Sequence, residues 1–83
     1  MIKFPNFVKI HIQCRELLKQ KFPHYGNSWI GFTQKSWWKR RLRGEINEVF
    51  RAKNSTDCKK EICDAINILA MMYENAEGFR YKK

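Results

Sequence analysis

The sequence lacks the features that would assign it to the membrane or secreted classes of protein. No stretch reaches the roughly 18 consecutive apolar residues that a membrane-spanning helix needs. Residues 1–5 read Met-Ile-Lys-Phe-Pro, and no hydrophobic segment typical of a signal peptide begins there. We therefore expect a cytoplasmic protein that has no membrane partner.

Cysteine and histidine are also scarce. The three cysteines, Cys14, Cys58 and Cys63, form no C-x-x-C pair, and both histidines, His11 and His24, lie in the first third of the chain. This spacing does not offer the coordinated set of ligands that a zinc site requires. The sequence predicts three reduced and mostly buried thiols, and nothing in it selects Cys58 and Cys63 for redox chemistry.

Acidic residues are outnumbered by basic ones. The 83 residues include 17 Lys and Arg but only 8 Asp and Glu, which gives a formal charge of +9. The basic residues concentrate in segments 39–43, 59–60 and 80–83. Such a balance favours a polyanionic partner, whether a nucleotide, a nucleic acid or an anionic surface, with a solvated basic surface as the alternative.

The composition is otherwise that of one small globular domain over residues 1–83. The hydrophobic fraction of 43%, with 14% aromatic residues, is too high for a disordered chain. A chain of this length buries a smaller share of its surface than a larger one, so oligomerisation is a usual remedy. We see no internal repeat and no linker.

The hydrophobic periodicity predicts an all-α fold. In the first helix, Asn6 is the expected N-cap and Pro23 the expected end. A loop over 23–34 holds Tyr25, Trp29 and Phe32, which either stack on a base or pin the loop to the core. The predicted helices span 6–22, 36–53 and 57–75, with a turn and cap cluster at 54–57 and a basic tail at 76–83.

The scarce acids form two doublets on the second and third helices. Glu45 and Glu48 are three residues apart, as are Glu61 and Asp64, and this spacing places both members of a doublet on one side of a helix. The first doublet lies beside the second helix's apolar stripe, in line with Arg41. That stripe consists of Trp38, Leu42, Ile46 and Val49.

The second doublet lies in a segment that is apolar on nearly all sides. Glu61 and Asp64 fall on the side of Ile68 and Met71, so we expect them to point into packed surroundings. A second apolar stripe consists of Ile62, Ile66, Leu69 and Tyr73. Gly44 directly precedes the first doublet and weakens the second helix. We hypothesise that it allows a ligand or a neighbouring helix to approach closely.

Four acids that converge inside a helix bundle repel one another and are costly to desolvate. A divalent cation compensates this charge, and oxygen ligands favour Mg²⁺, with Mn²⁺ as an alternative. A di-iron site is disfavoured because the position three after each leading Glu is never His. Taken singly, Glu45 and Glu48 can instead pair with Arg41, and Glu61 can interact with the helix dipole.

The doublets resemble the signature of the MazG-like all-α nucleoside triphosphate pyrophosphohydrolases. The likeness spans residues 37–75, including Arg-Arg-Leu-Arg-Gly-Glu at 40–45 and Asp-Ala-Ile-Asn-Ile-Leu-Ala-Met-Met at 64–72. It implies a four-helix bundle that this short chain completes only as a homodimer or homotetramer.

The resemblance also implies an activity and its residues. Such enzymes cleave an NTP or dNTP to a monophosphate and pyrophosphate, a reaction that serves nucleotide-pool sanitation. Glu45, Glu48, Glu61 and Asp64 would be the catalytic acids and hold Mg²⁺ ions that bridge phosphate oxygens, with one of them, Glu48 for example, as general base. The expected substrate contacts are Lys39, Arg41, Arg43 and Asn67.

Two other functions compete with this hypothesis. One is a small basic nucleic-acid-binding protein, supported by the charge and by aromatic and basic residues interleaved at 37–43. That alternative leaves Glu61 and Asp64 unexplained. The other is a non-catalytic α-helical interaction module whose acids pair with arginines across an interface.

Overall fold

The chain forms three α-helices and a short 3₁₀ turn. The computed structural model describes residues 2–81, with the side chains of 22–25 left aside, and this part contains no strand. The all-α prediction is therefore confirmed. The elements are α1 (Phe7–Tyr25), α2 (Lys35–Arg51), α3 (Ser55–Asn75) and the 3₁₀ turn Ala76–Gly78.

The start of α1 agrees with the sequence, but its end does not. The Asn6 Oδ1 atom accepts a hydrogen bond from the Lys9 N–H at 3.1 Å, which confirms Asn6 as the N-cap. The prediction that Pro23 ends the helix is wrong, because α1 continues to Tyr25. A proline this close to a helix end removes only one of the last hydrogen bonds, which limits its cost.

The other two helices form a hairpin. Helix α2 begins one residue before the predicted position and ends two residues earlier, at Arg51. Helix α3 begins at Ser55, two residues before the predicted start. Its N-cap is Asn54, whose Oδ1 accepts from the Asp57 N–H at 2.8 Å. The short connector between the two helices makes them antiparallel neighbours.

Helix α3 is the central element. It packs against both α1 and α2, whereas α1 and α2 do not pack against each other within the described residues. A cleft therefore opens between α1 and α2 with α3 as its floor. The core beneath and beside this cleft is built around Trp38, Ile68 and Met71, and Leu18 and Trp29 pack against it.

Two asparagines on α3 hold the rest of the chain to it. The buried Asn67 donates from Nδ2 to the Cys14 carbonyl of α1 at 3.0 Å. Asn75 donates from Nδ2 to the Trp29 carbonyl at 2.9 Å and accepts from the Gly31 N–H at 3.1 Å. These bonds fix the connector between α1 and α2, and the Trp29 side chain packs against the core, so Trp29 pins the connector to the core. The Tyr25 side chain lies outside the described part.

The single chain is flat and leaves apolar surface uncovered. Its radius of gyration is 14.2 Å, larger than the about 12 Å expected for a compact domain of this length. The stripe of Ile62, Leu69 and Tyr73 on α3 points away from the cleft, and Tyr73 is 82% exposed. None of the described helices combines the length and the apolar character that a bilayer span requires.

Gly44 does not serve a close approach within the chain. It has no positive φ, and a Cβ built there meets nothing within 4 Å in the described structure, so no helix of the same chain requires a glycine here. Gly44→Ala is expected to raise the free energy of unfolding by about 0.5–1 kcal/mol, because alanine loses less backbone entropy in a helix. Urea denaturation measures this gain.

Gly78→Ala is the matched control for that experiment. A Cβ at Gly78 would lie 2.6 Å from the Thr33 Cγ2 atom, so Thr33 has to shift to admit it. This variant is expected to gain no stability. Equal gains at both positions would show that the packing around the two glycines does not matter.

Candidate metal centre

Three of the four predicted acids meet at the interface of α2 and α3. Glu45 of α2 and Glu61 and Asp64 of α3 are all half-buried. Each offers one carboxylate oxygen, and these three oxygens lie within 4.8 Å of one another. The antiparallel hairpin produces this arrangement, because it sets the middle of α2 against the first half of α3. We call these three residues the acid cluster.

Glu48 lies outside the acid cluster. Its side chain is 53% exposed, and its Oε1 atom lies 3.5 Å from Nη1 of Arg51 on the same helix. The structure therefore brings together one member of the first doublet and both members of the second. Within one chain, the first doublet does not act as a pair.

Two cations lie next to the acid cluster. The Lys21 Nζ atom of α1 is 2.6 Å from Asp64 Oδ2, and the Asp64 side chain is only 12% exposed. Arg41 lies one turn before Glu45 on α2, where its positive charge opposes the burial that raises the pKa of Glu45. Three carboxylates and two cations leave one formal negative charge at this place.

Burial raises the pKa of Glu45 above its ordinary value of 4.5. The negative charge of Asp64 is the next cause in the same direction, and Glu61 adds to it. Arg41 and Lys21 oppose the rise without cancelling it. The ionised form of Glu45 is therefore held at a cost in the folded chain when no cation is bound.

Glu45→Gln is expected to stabilise the metal-free protein at neutral pH. Because the folded state holds the Glu45 proton more tightly than the unfolded state, stability falls as the pH rises from 4.5 through the folded-state pKa. Glutamine removes this cost, so the variant should melt above wild type at pH 7 to about 8, with the gap closing near pH 4.

Thermal melts in chelator across this pH range provide the measurement. Glu16→Gln serves as the control, since it removes an exposed carboxylate whose partner is Lys19 at 3.3 Å, and such a pair contributes roughly 0–1 kcal/mol. A Glu45→Gln protein that melts below wild type at neutral pH would contradict the assigned effect of burial.

The cleft between α1 and α2 is a cavity of about 310 Å³, and two of the three residues of the acid cluster line it at one end. Glu45 and Asp64 line it together with Lys21, Arg41 and Asn67. Aromatic side chains line the opposite end, about 10 Å farther along α2 by helical rise. These aromatic residues are Trp29, Phe32, Trp37 and Trp38.

The aromatic residues form an ordered wall. The ring centroids of Phe32 and Trp37 are 4.8 Å apart, and those of Trp37 and Trp38 are 4.9 Å apart with the planes at 86°. Trp38 donates from Nε1 to the Phe32 carbonyl at 2.8 Å, which ties the wall to the connector. Trp38 is buried, and Trp37 is 37% exposed. The Trp38 ring therefore supports the wall from within, and the Trp37 ring is accessible to a ligand.

The predicted substrate contacts divide between two surfaces. Arg41 and Asn67 line the cavity, although the Asn67 amide nitrogen already donates to α1. Lys39 and Arg43 line a different groove on the other side of α2. Residues two apart on a helix point about 200° from each other, which explains why they separate from Arg41.

Lys21 is the site residue that the sequence interpretation missed. It lies seven residues after Cys14 and three after Leu18, which is the spacing of one helix face. Cys14 is buried and Leu18 half-buried, so the same period could have placed Lys21 at the edge of the apolar stripe.

The cysteines are free thiols, and Cys14 and Cys63 are buried while Cys58 is half-buried. Burial raises the pKa of Cys14 to about 12, and its hydrogen bond with the Cys63 side chain adds to this. The thiol is therefore protonated and unreactive at neutral pH. This agrees with the prediction of reduced, mostly buried cysteines.

A comparison of this chain with protein-family models, with curated proteins and with solved structures returned no match. Any assignment of function accordingly rests on the geometry of the cleft and on the residues around it.

Proposed function

We propose that this chain is a Mg²⁺-dependent nucleoside triphosphate pyrophosphohydrolase that converts an NTP or dNTP to a monophosphate and pyrophosphate. One observation carries the proposal: carboxylates from two helices converge at the polar end of a cavity whose other end is aromatic. A nucleotide has the same division, with a polyphosphate at one end and a flat base at the other. Nucleotide-pool sanitation is the role that this reaction would serve.

The donor set of the acid cluster fits a hard divalent cation. Glu45, Glu61 and Asp64 offer only oxygen, from positions close enough to share one ion. A divalent cation changes the local formal charge from minus one to plus one, which attracts a polyphosphate. Mg²⁺ in this place supplies charge neutralisation and a lowered pKa for an attacking water. Mn²⁺ is the expected substitute.

The chain's own cations orient the polyphosphate. Arg41 points into the cavity beside Glu45, and its planar guanidinium can hold two phosphate oxygens at once. Lys21 neutralises Asp64 and also lines the cavity. When a divalent cation neutralises Asp64 instead, the Lys21 ammonium can donate to a phosphate oxygen. In the proposed reaction, the oxygen of a water molecule bonds to the α-phosphorus, and the bond between this phosphorus and the α,β-bridging oxygen breaks. Pyrophosphate leaves with the bridging oxygen, and the proton lost by the water passes to solvent.

The aromatic wall receives the base. The accessible face of Trp37 is available for stacking, and Trp38 and Phe32 hold it in place. Stacking on an aromatic side chain contributes about 1–3 kcal/mol per base and tolerates different bases. The cavity volume of about 310 Å³ lies at the lower end of the range for ligand pockets.

We further propose that the chain acts as a homodimer or homotetramer with a four-helix bundle across the interface. The support is the flat shape and the outer stripe of α3, where Ile62, Leu69 and Tyr73 are exposed. Covering this stripe with a second copy buries apolar surface that one chain leaves in water. Sedimentation would then report at least twice the 10.1 kDa of one chain.

A hydrolysis assay tests the activity. Standard and modified NTPs and dNTPs are incubated with Mg²⁺, with Mn²⁺ and with chelator, and the products are resolved by chromatography. Monophosphate and pyrophosphate in equal amounts, formed only with the metal, support the proposal. Turnover to diphosphate and phosphate, or no turnover with any nucleotide and metal, overturns it.

A further inference from the structure

A second groove lies on the other side of α2 from the acid cluster, and its floor is apolar. The floor consists of Leu42 and Ile46 from α2, Met72 from α3, and Phe79 after the 3₁₀ turn. The groove encloses about 590 Å³, and Ile46 is 42% exposed in it. The apolar surface of this floor is open to solvent, so its burial would favour binding of an apolar partner surface.

A row of cations forms the rim of this groove. Lys35, Lys39 and Arg43 lie four residues apart on α2, and each is exposed. Four residues of helix correspond to about 6 Å, so the row extends over about 12 Å. Lys35 Nζ lies 4.6 Å from the centroid of the Tyr81 ring, which holds this cation beside the groove. We call the floor and this row together the basic groove.

We propose that the basic groove docks an acidic amphipathic helix of a partner protein. A helix laid along α2 presents apolar side chains at i, i+3, i+4 and i+7 to the floor. The same helix can present carboxylates at i, i+4 and i+8, and this row has the spacing of Lys35, Lys39 and Arg43. The occupant is therefore defined by two complementary features, an apolar stripe and an adjacent row of acids.

A second copy of this chain does not supply such a helix. The acid of α1 is Glu16, which pairs with Lys19, and the acid of α2 outside the cluster is Glu48, which pairs with Arg51. The acids of α3 lie in the acid cluster or near the two helix ends. A nucleic acid duplex would use the row of cations but has no apolar stripe for the floor.

The test uses a designed, fluorescently labelled peptide of about 16 residues with leucines at helical spacing and a flanking row of glutamates. Fluorescence anisotropy with the full chain is expected to show saturable binding that weakens as salt is raised. A scrambled peptide of the same composition, and one with lysine in place of glutamate, are the peptide controls.

Two double variants of equal charge change make the test specific. Lys39→Glu with Arg43→Glu is expected to weaken peptide binding by at least about tenfold, since it reverses two rim charges. Lys59→Glu with Lys60→Glu, on the exposed start of α3, is expected to change binding by less than about threefold, because only general attraction is lost. Circular dichroism melts verify that both variants fold.

Several results would overturn the proposal. These are equal binding of the scrambled peptide, an equal loss in both double variants, or no saturable binding. Sedimentation that shows a homodimer dissociating only in Lys39→Glu with Arg43→Glu would assign the groove to a second copy. Binding to anionic phosphatidylserine vesicles that is lost only in this variant, without peptide binding, would assign it to a membrane surface.

Discussion

Glu61→Gln is expected to abolish Mg²⁺-dependent nucleotide hydrolysis. The change keeps the size of the side chain but removes one of the three carboxylates whose oxygens lie within 4.8 Å of one another. Loss of groups that merely orient a metal ligand costs 10–100-fold, so loss of a ligand should cost at least about 100-fold in kcat/KM. Steady-state kinetics at saturating Mg²⁺ measures this effect. Asp64→Asn is expected to do the same.

The dependence of the melting temperature on Mg²⁺ shows whether a variant is inactive because it no longer binds the ion or because it binds the ion but does not catalyse hydrolysis. Wild type should melt higher as Mg²⁺ is added, because a ligand that binds only the folded state stabilises it. Glu61→Gln should show no such rise, whereas Glu16→Gln on the exposed face of α1 should retain both the rise and the activity. A Glu61→Gln enzyme with near-normal turnover would exclude the acid cluster as the reaction site.

Glu48→Gln decides between the arrangement in this structure and the one that the family resemblance implies. Because Glu48 is exposed and lies beside Arg51, its replacement should leave the Mg²⁺-dependent rise in melting temperature within about 1 °C of wild type. A loss equal to that of Glu61→Gln would mean that Glu48 turns toward the acid cluster when the metal binds.

Trp38→Ala is expected to remove a large share of the protein's free energy of unfolding. Trp38 is 1% exposed and lies at the centre of the core with Ile68 and Met71. Truncation of a buried tryptophan costs about 3–5 kcal/mol, while a domain of this size has roughly 4–12 kcal/mol in total. The variant also loses the hydrogen bond from Nε1 to the Phe32 carbonyl. Urea denaturation followed by circular dichroism gives the free energy of unfolding.

The neighbouring tryptophan is a matched control. Trp37 is 37% exposed, so Trp37→Ala should cost roughly 1 kcal/mol, well under half of the Trp38 loss. Its main effect should fall on KM, because the wall loses the ring that we propose stacks on the base. Equal losses of stability in the two variants would contradict the assignment of Trp38 to the core and Trp37 to the cavity.

The features that depend on local periodicity are predictable from the sequence. The three helices, the Asn6 cap and the inward side of α3 all follow from spacing along one segment. The same spacing sets Glu61 and Asp64 beside Ile68 and Met71, and the structure places those two apolar residues in the core. Helical geometry acts over a few residues, so a single sequence carries this information directly.

Features that depend on pairing between distant segments are not predictable in this way. Lys21 meets Asp64 across 43 positions, and no local pattern indicates which segments become neighbours. The i, i+3 spacing permits Glu48 to act with Glu45, but the ion pair with Arg51 competes for the same carboxylate. Propensity predicts a helix end at Pro23 because it describes helix interiors better than the last turn.

The separation of α1 from α2 has a consequence for how the molecule should respond to the proposed nucleotide. Within the described residues, α1 and α2 do not pack against each other, and α1 packs on α3, where Asn67 donates to the Cys14 carbonyl. A nucleotide that touches both walls would contact α1 and α2 at the same time and fill the space between them. Occupancy should therefore slow amide hydrogen exchange along the whole of α1, including turns that never contact the ligand.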